Sequence, residues 1–167
     1  MKASGTAVTR RSPPSAAPGL SLKTRALQWL ANREHSRREL RSKLLRIAEG
    51  DDVAAEVDLL LDQLAAQGHL SDARFVESRL HARTARFGNR RIVLELRQHG
   101  LTPDAATQQQ LRTTELARAR EVWRKKFGQH AADAAGRARQ ARFLAARGFS
   151  AEVVRKIVST DHDNESI

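Results

Sequence analysis

The sequence predicts an all-α protein, on three observations. Hydrophobic residues make up 40% of the chain but aromatics only 4%, with no Tyr and no Cys. A core of Leu, Val and Ala suits helices, whereas strands favour β-branched and aromatic residues. Helix start and stop signals recur along the chain, and no strand-like alternation competes with them. The elements follow one another as three units of about fifty residues.

Residues 1–20 (MKASGTAVTRRSPPSAAPGL) are rich in Pro, Ser, Ala and Gly and have no period, which predicts a disordered arm. They carry no apolar h-region of a secretory signal. No run in the chain approaches the roughly 20 apolar residues that span a bilayer. The absence of Cys excludes disulfides, thiolate zinc sites and Cys nucleophiles, and fits a reducing cytoplasm.

The first unit, 21–70, opens with a helix that carries Trp29 near its middle as a core anchor. Ser36-Arg37-Arg38-Glu39 reads as a capping box, with Ser36 accepting from the Glu39 amide and the Glu39 carboxylate reaching back. Val53, Val57, Leu60, Leu61 and Leu64 then form one apolar stripe, with Asp58 and Asp62 on its solvent side. Gly68 stops that helix in the left-handed conformation. In the second unit, 71–111, Ser71 caps a helix whose Phe75 is stapled by Leu70. Gly100-Leu101-Thr102-Pro103 supplies a stop, a staple residue, a cap and Pro at the first helical position. The third unit, 112–158, has Trp123 as its anchor and repeats the device at Gly148-Phe149-Ser150, with Phe149 facing Val154. Phe75, Phe143 and Phe149 are core by spacing, and 159–167 is a polar tail.

Setting Ser36, Gly88 and Gly136 in register aligns Leu40 with Ile92, and Leu44 with Leu96 and Leu144. It also aligns Gly100-Leu101 with Gly148-Phe149. The intervals leave room for three short helices per unit, which predicts stacked helical modules; chance register of Leu-rich helices in one bundle is the alternative.

Charge sharpens the functional question. Lys and Arg number 30 against 19 Asp and Glu, for a net +11. The excess is blocked: +6 over 21–47, −7 over 48–72, +5 over 73–101, +8 over 112–156 and −3 over 157–167. A basic protein with one acidic element predicts a polyanionic partner, or mutual neutralisation between neighbouring helices. Arg79, Arg83, Arg86 and Arg90 recur at helical spacing as a basic ridge, and Arg91 and Arg97 extend it; guanidinium forks suit phosphates and carboxylates. Glu95 is an expected internal partner for a nearby Arg. Arg124, Lys125 and Lys126 form a dense cluster at a helix end, where the helix dipole alone would favour them. Arg137, Arg139, Arg142 and Arg147 outline a second ridge. The six histidines never form His-x-x-x-His, and no phosphate loop, nucleophile elbow or catalytic carboxylate pair is present. No metal, cofactor or enzymatic activity is expected.

The residues also carry a resemblance. Ala26-Leu27-Gln28-Trp29-Leu30 through Arg33-Glu34-His35-Ser36 to Leu40-Arg41-Ser42-Lys43-Leu44 resembles the opening of the bacterial RecX regulatory proteins. Gly68-His69-Leu70-Ser71-Asp72-Ala73-Arg74-Phe75 is similar to their Gly-Tyr-Leu-Asp-Asp-x-Arg-Phe signature. The run from Phe87-Gly88 through Ile92, Glu95 and Leu96 to Gly100-Leu101 is similar to their Tyr-Gly-x-x-x-Ile-x-x-Glu-Leu-x-x-Lys-Gly-Ile. Lys126-Phe127-Gly128 and Arg142-Phe143-Leu144-Ala145-Ala146-Arg147-Gly148-Phe149 resemble the final module. The resemblance spans about residues 22–158, with His69 and Phe87 in place of tyrosines, Ser71 in place of Asp and His99 in place of Lys.

The resemblance implies three tandem three-helix repeats in an elongated, curved body. It further implies a small cytoplasmic inhibitor of the RecA recombinase, acting in DNA repair and the SOS response. Such proteins bind RecA, lodge in the groove of its filament on single-stranded DNA, and damp its ATPase, strand-exchange and co-protease activities; double-stranded DNA is a second candidate partner. On charge alone, the rival expectation is a sequence-independent DNA-binding helical module acting on DNA directly. The expected contact residues under either view are the arginines and lysines named above at 79, 83, 86, 90, 91, 97, 124–126, 142 and 147. Asp72 and Arg74 are expected to brace a helix start.

Overall fold

A computed structural model describes residues 20–159. Among them lie eight helices and no strand: α1 (Leu22–Asn32), α2 (Arg37–Leu45), α3 (Val53–Ala66), α4 (Asp72–Arg83), α5 (Asn89–Gln98), α6 (Ala105–Phe127), α7 (Ala134–Ala146) and α8 (Ala151–Val158). The expected arm and tail fall outside the described residues, except Leu20 and Ser159.

Six helices start on a side chain that accepts from a first-turn amide: Ser21, Ser36, Ser71, Asp104, Asp133 and Ser150. Such a cap stabilises a helix by about 1 kcal/mol. Gly68, Gly100 and Gly148 follow α3, α5 and α7 at φ 75, 77 and 82°, the expected left-handed stops.

Four local expectations are corrected. The cap of α6 is Asp104, not Thr102. Asp104 Oδ1 lies 2.7 Å from the Thr107 amide, an ionised acceptor in place of a hydroxyl, while Pro103 is buried ahead of the helix and its carbonyl accepts from Gln108 Nε2. Gly136 sits inside α7, whose cap is Asp133. Ser36 Oγ accepts from the Glu39 amide at 3.1 Å, but the Glu39 carboxylate turns to Arg33 and Lys43, two cations that outcompete one amide. Leu70 does not staple Phe75: its amide donates to the Leu64 carbonyl at 3.1 Å, which folds it over the last turn of α3 and into the first core.

Three small cores follow one another. The first joins α1–α3 around Leu40, Leu44, Val57, Leu61 and Leu64. The second gathers Phe75, Ile92, Leu96 and Leu111, and the third Trp123, Leu144, Phe149, Val154, Ile157 and Val158. The aligned leucines 44, 96 and 144 are each wholly buried, one per core. Burial of one such side chain contributes about 1.5–3 kcal/mol. Gln140 occupies the place of Leu40 and Ile92; its Oε1 accepts from Trp123 Nε1 at 3.1 Å and its Nε2 donates to the Gln129 carbonyl at 3.0 Å, so the buried amide is satisfied. Trp29 packs on the first core under Lys43.

There are eight helices where three repeats of three would give nine, because α6 is continuous. Leu111 on its first half belongs to the second core, and Ala119, Val122 and Trp123 on its second half belong to the third. The expected division at 111/112 therefore falls inside one helix.

The junctions use a repeated device. The first amide of α2, Arg37 N–H, donates to Asp72 Oδ1 at 2.9 Å, and that carboxylate stands at the start of α4. The first amide of α5, Asn89 N–H, donates to Glu115 Oε1 at 3.0 Å from α6. The middle helices of the first two repeats are thus each capped by a carboxylate of the following repeat. Glu115, 5% exposed, also accepts from Ser150 N–H at 3.3 Å. Arg118 on the same helix donates to the carbonyls of Thr84, Phe87 and Leu111 and to Asn89 Oδ1. Arg74 pairs with Glu34 at 2.7 Å and donates to the His69 carbonyl, which makes Asp72 and Arg74 braces between repeats.

Candidate interaction face

Two of the seven acids in the acidic block are paired inside the first repeat. Asp58 pairs with Arg41 at 2.7 Å and Asp62 with Arg37 at 2.8 Å, across α2 and α3. The Arg41 guanidinium holds the Asp58 carboxyl below the usual carboxylate range. The second and third repeats keep a basic surface on which Arg90, Arg97, Arg142 and Arg155 have no ion pair among the described residues.

That surface is built where α5 meets the end of α7. Gly88 N–H donates to the Arg147 carbonyl at 2.9 Å and Arg90 N–H to the Gly148 carbonyl at 3.0 Å. The free amides of one helix start are thereby satisfied by the free carbonyls of another helix end, and the two dipoles line up. Arg90 and Arg91 lie in the first turn of α5, where cations are normally unfavourable; the carbonyl end of α7 offsets this. Two grooves flank the contact. One, of about 900 Å³, is lined by Arg90, Arg91, Leu94, Arg97, Ala145 and Ala146 among others, and Leu94 is 57% exposed. The second, of about 440 Å³, has Ala141, Ala145, Phe149, Val154 and Val158 as its apolar floor and Arg90, Arg142 and Arg155 at its edge. Both share Arg90 and Ala145, so they form one continuous face.

The expected ridge does not run along a single helix. α4 ends at Arg83, Arg86 lies in the turn, and Arg90 and Arg91 start α5. Arg118 holds that turn by the Thr84 and Phe87 carbonyls, which ends the helical path. Arg83, Arg86 and Arg91 instead surround Phe87, with guanidinium carbons 5.6, 5.7 and 4.2 Å from the ring centre. Glu95 is the partner of Arg83 and Arg91: its carboxylate lies 3.0 Å from Arg83 Nε and 3.7 Å from Arg91 Nε. The Arg83 N–H is not aimed at the carboxylate, so the contact is an ion pair without a formed hydrogen bond.

The other expected residues scatter. Arg79 covers Phe75 at 5.1 Å, beside the repeat 1–2 junction. Arg147 stacks on Phe143 at 3.8 Å, which places that phenylalanine at the margin of the third core. Arg142 reaches the second groove. Arg124, Lys125 and Lys126 stand exposed on the last turn of α6, and Arg124 is already paired with Glu121. Arg137 is drawn off the second ridge by the Ala131 and Ala132 carbonyls. Arg155 and Leu94 were not anticipated: Arg155 lies in the last turn of α8, and only the fold shows that it faces Arg90, 65 positions earlier.

Guanidinium forks around an apolar strip can hold phosphates or carboxylates while accepting an apolar side chain or a base between them. Among the described residues, no group of three or more His, Cys, Asp or Glu could hold a metal ion. No described helix is long and apolar enough to cross a membrane.

Comparison with known proteins adds the following. Family models described as the first, second and third three-helix domains of RecX match residues 23–57, 71–108 and 113–158. The regulatory protein RecX of Leptothrix cholodnii is 53% identical over 154 residues, covering 88% of this chain and 96% of the relative. That of Herminiimonas arsenicoxydans is 51% identical over 149 residues, covering 87% and 96%. The crystal structure of RecX from Lactobacillus salivarius superposes with a TM-score of 0.62 over 82% of this chain and 92% of that one; at 17% identity it speaks for the fold.

Proposed function

The chain belongs to the RecX family of regulatory proteins, and from that premise we propose that it is a cytoplasmic negative regulator of the RecA recombinase. In this reading it binds RecA and its filament on single-stranded DNA and damps ATPase, strand exchange and co-protease activity in DNA repair and the SOS response. One observation carries the reading: in a chain matched by all three domain models, α5, α7 and α8 form a continuous face with Arg90, Arg97, Arg142 and Arg155 outside any ion pair among the described residues. A recombinase filament presents DNA phosphates and acidic side chains together, and such a face suits both. Bound there, the protein would block the path of DNA or repressor substrates and disturb the protomer contacts that ATP hydrolysis needs.

The test is DNA-dependent ATP turnover by the filament with and without this protein. Inhibition at near-stoichiometric protein is expected, and none would end the reading.

The exposed arginines also favour a second reading, a sequence-independent DNA-binding module. Neutralising five phosphates on a single strand would give a log–log salt slope of about −3.5. Tight, steeply salt-dependent binding to bare DNA, with no preference for recombinase-coated DNA, would support this second reading over the first.

A further inference from the structure

We propose that the arginine-edged groove between α7 and α8 is a protein-docking site that takes a short acidic amphipathic helix. The aliphatic side chains of that helix lie on the groove floor, and its carboxylates meet the flanking guanidinium groups. The inference rests on the proposed function in taking this face as the contact face, and it assigns the smaller of the two grooves to protein, not to DNA.

The floor separates the two kinds of partner. Ala141 and Ala145 stand one turn apart on α7, and Val154 and Val158 one turn apart on α8, so two aliphatic rows flank a cavity of about 440 Å³. Single-stranded nucleic acid makes its apolar contacts chiefly by stacking bases on open aromatic rings. Phe149 is the only aromatic residue of this floor, and it is 1% exposed. Phosphodiester oxygens gain nothing from alanine and valine, whereas the apolar face of an amphipathic helix does.

The rim supplies the sign. Arg90, Arg142 and Arg155 are exposed, and none of them has an ion pair among the described residues. Arg142 stands on α7 and Arg155 on α8, so each of the two helices that form the groove carries a free cation. A basic helix would be repelled there and a neutral one held by the floor alone; the complement is apolar on one side and acidic along its flanks. Guanidinium forks take carboxylates in bidentate pairs, which also fixes the direction of approach. The pocket that holds Arg124 and Lys156 lacks this pull, because Arg124 is paired with Glu121 and Lys156 with Glu152 at 2.7 Å.

The probe is a fluorescein-labelled, glutamate-rich helical peptide with two leucines one turn apart, titrated into the full-length protein and followed by anisotropy. Saturable binding is expected, with amide shifts centred on Ala141, Ala145, Val154 and Val158. Replacing both peptide leucines with serine keeps the charge and should weaken binding about tenfold or more, as for the loss of two partly buried aliphatic side chains. Arg142→Ala with Arg155→Ala should weaken it about fivefold to tenfold, with an unchanged circular dichroism melt. Unlabelled oligo(dT) of matched charge should displace the peptide no better than the serine peptide does. Equal affinity for the leucine and serine peptides, or displacement by oligo(dT) as effective as by the unlabelled leucine peptide, would make the groove a phosphate surface and overturn the proposal. Shifts at the same four residues that grow with protein concentration in the absence of peptide would assign the groove to a second copy and overturn it too. None of these readouts uses a recombinase. A protein that inhibits the filament ATPase but binds no peptide would refute this inference and leave the proposed function standing.

Discussion

Gly88 and Gly148 meet backbone to backbone: a Cβ on Gly88 would lie 2.4 Å from the Gly148 carbonyl oxygen and 2.2 Å from the Phe149 nitrogen. A Cβ on Gly148 would in turn lie 2.7 Å from the Arg91 nitrogen, and Gly148 also stands at φ 82°. No flexible side chain can yield here, so the start of α5 and the end of α7 approach this closely only because both positions lack side chains. Gly88→Ala and Gly148→Ala are each expected to destabilise the fold by about 2–3 kcal/mol. Gly68→Ala, whose Cβ would meet open space, should cost only about 1 kcal/mol. Urea denaturation midpoints rank the three; equal losses would contradict the close approach.

The two junction carboxylates should differ in weight. Glu115 is buried and accepts two amides from different helices, so Glu115→Ala leaves both donors without a partner and should cost about 2–4 kcal/mol. Asp72→Ala removes one amide cap at a half-exposed site and should cost about 1 kcal/mol. Hydrogen exchange localises the effect: the Asn89 and Ser150 amides should exchange faster in the first variant and the Arg37 amide in the second.

Stability should fall below neutral pH through two histidines. Burial holds both His35 and His99 below the usual imidazole pKa; at His35 the bond to the Arg33 carbonyl and Glu39 oppose it while the Arg33 and Lys43 charges reinforce it, and at His99 Arg79 and Arg33 reinforce it against Glu39 and Glu95. His35 Nδ1 faces the Arg33 carbonyl at 2.9 Å and Nε2 faces Lys43 Nζ at 2.8 Å, an arrangement that assigns the proton to Nδ1 and the neutral ring to the folded state. His99 Nδ1 meets Ser36 Oγ at 3.2 Å, and its ring packs on Phe75. The unfolded chain therefore binds more protons between the folded pKa and about 6.5. Stability is fully present above that value and declines as pH falls toward the folded pKa. Thermal melts at pH 8 and pH 5.5 should show the loss, and His99→Gln should reduce it; a flat profile would contradict it.

On the proposed function, the double change Arg90→Ala, Arg142→Ala should weaken inhibition of filament ATPase by about tenfold, as expected for the loss of one or two charge-assisted hydrogen bonds. Lys125→Ala with Lys126→Ala, at the far end of α6, should have a smaller effect. Inhibition curves for the two double variants decide between these surfaces.

Much of this was legible in the sequence, because it is encoded locally. Ser36, Ser71 and Ser150 cap as their spacing predicts, and Leu44, Leu96 and Leu144 are buried in register. What stayed hidden depends on distant partners. Glu115 reads as one more charge on a helix until Asn89 and Ser150 are brought to it, and Arg118 as a solvated base until four acceptors surround it. Arg79 to Arg90 kept helical spacing across a turn, since periodicity alone carries no record of where the backbone leaves the helix. Asp104 caps α6 behind Pro103, whose own start signal one residue earlier in the sequence masks it.

The unbroken α6 ties two neighbours in torsional phase. Each residue added to a helix advances it by about 1.5 Å and turns it by about 100°. A single insertion between Leu111 and Trp123 would swing the whole third repeat about its neighbour, carrying Arg142 and Arg155 away from Arg90 and pulling Gly148 off Gly88. The stretch between α2 and α3 has no such constraint, because an extra residue there only lengthens a turn. Tolerance to changes in length is thus set by whether the added residue acts as slack or as rotation, and along α6 it acts as rotation.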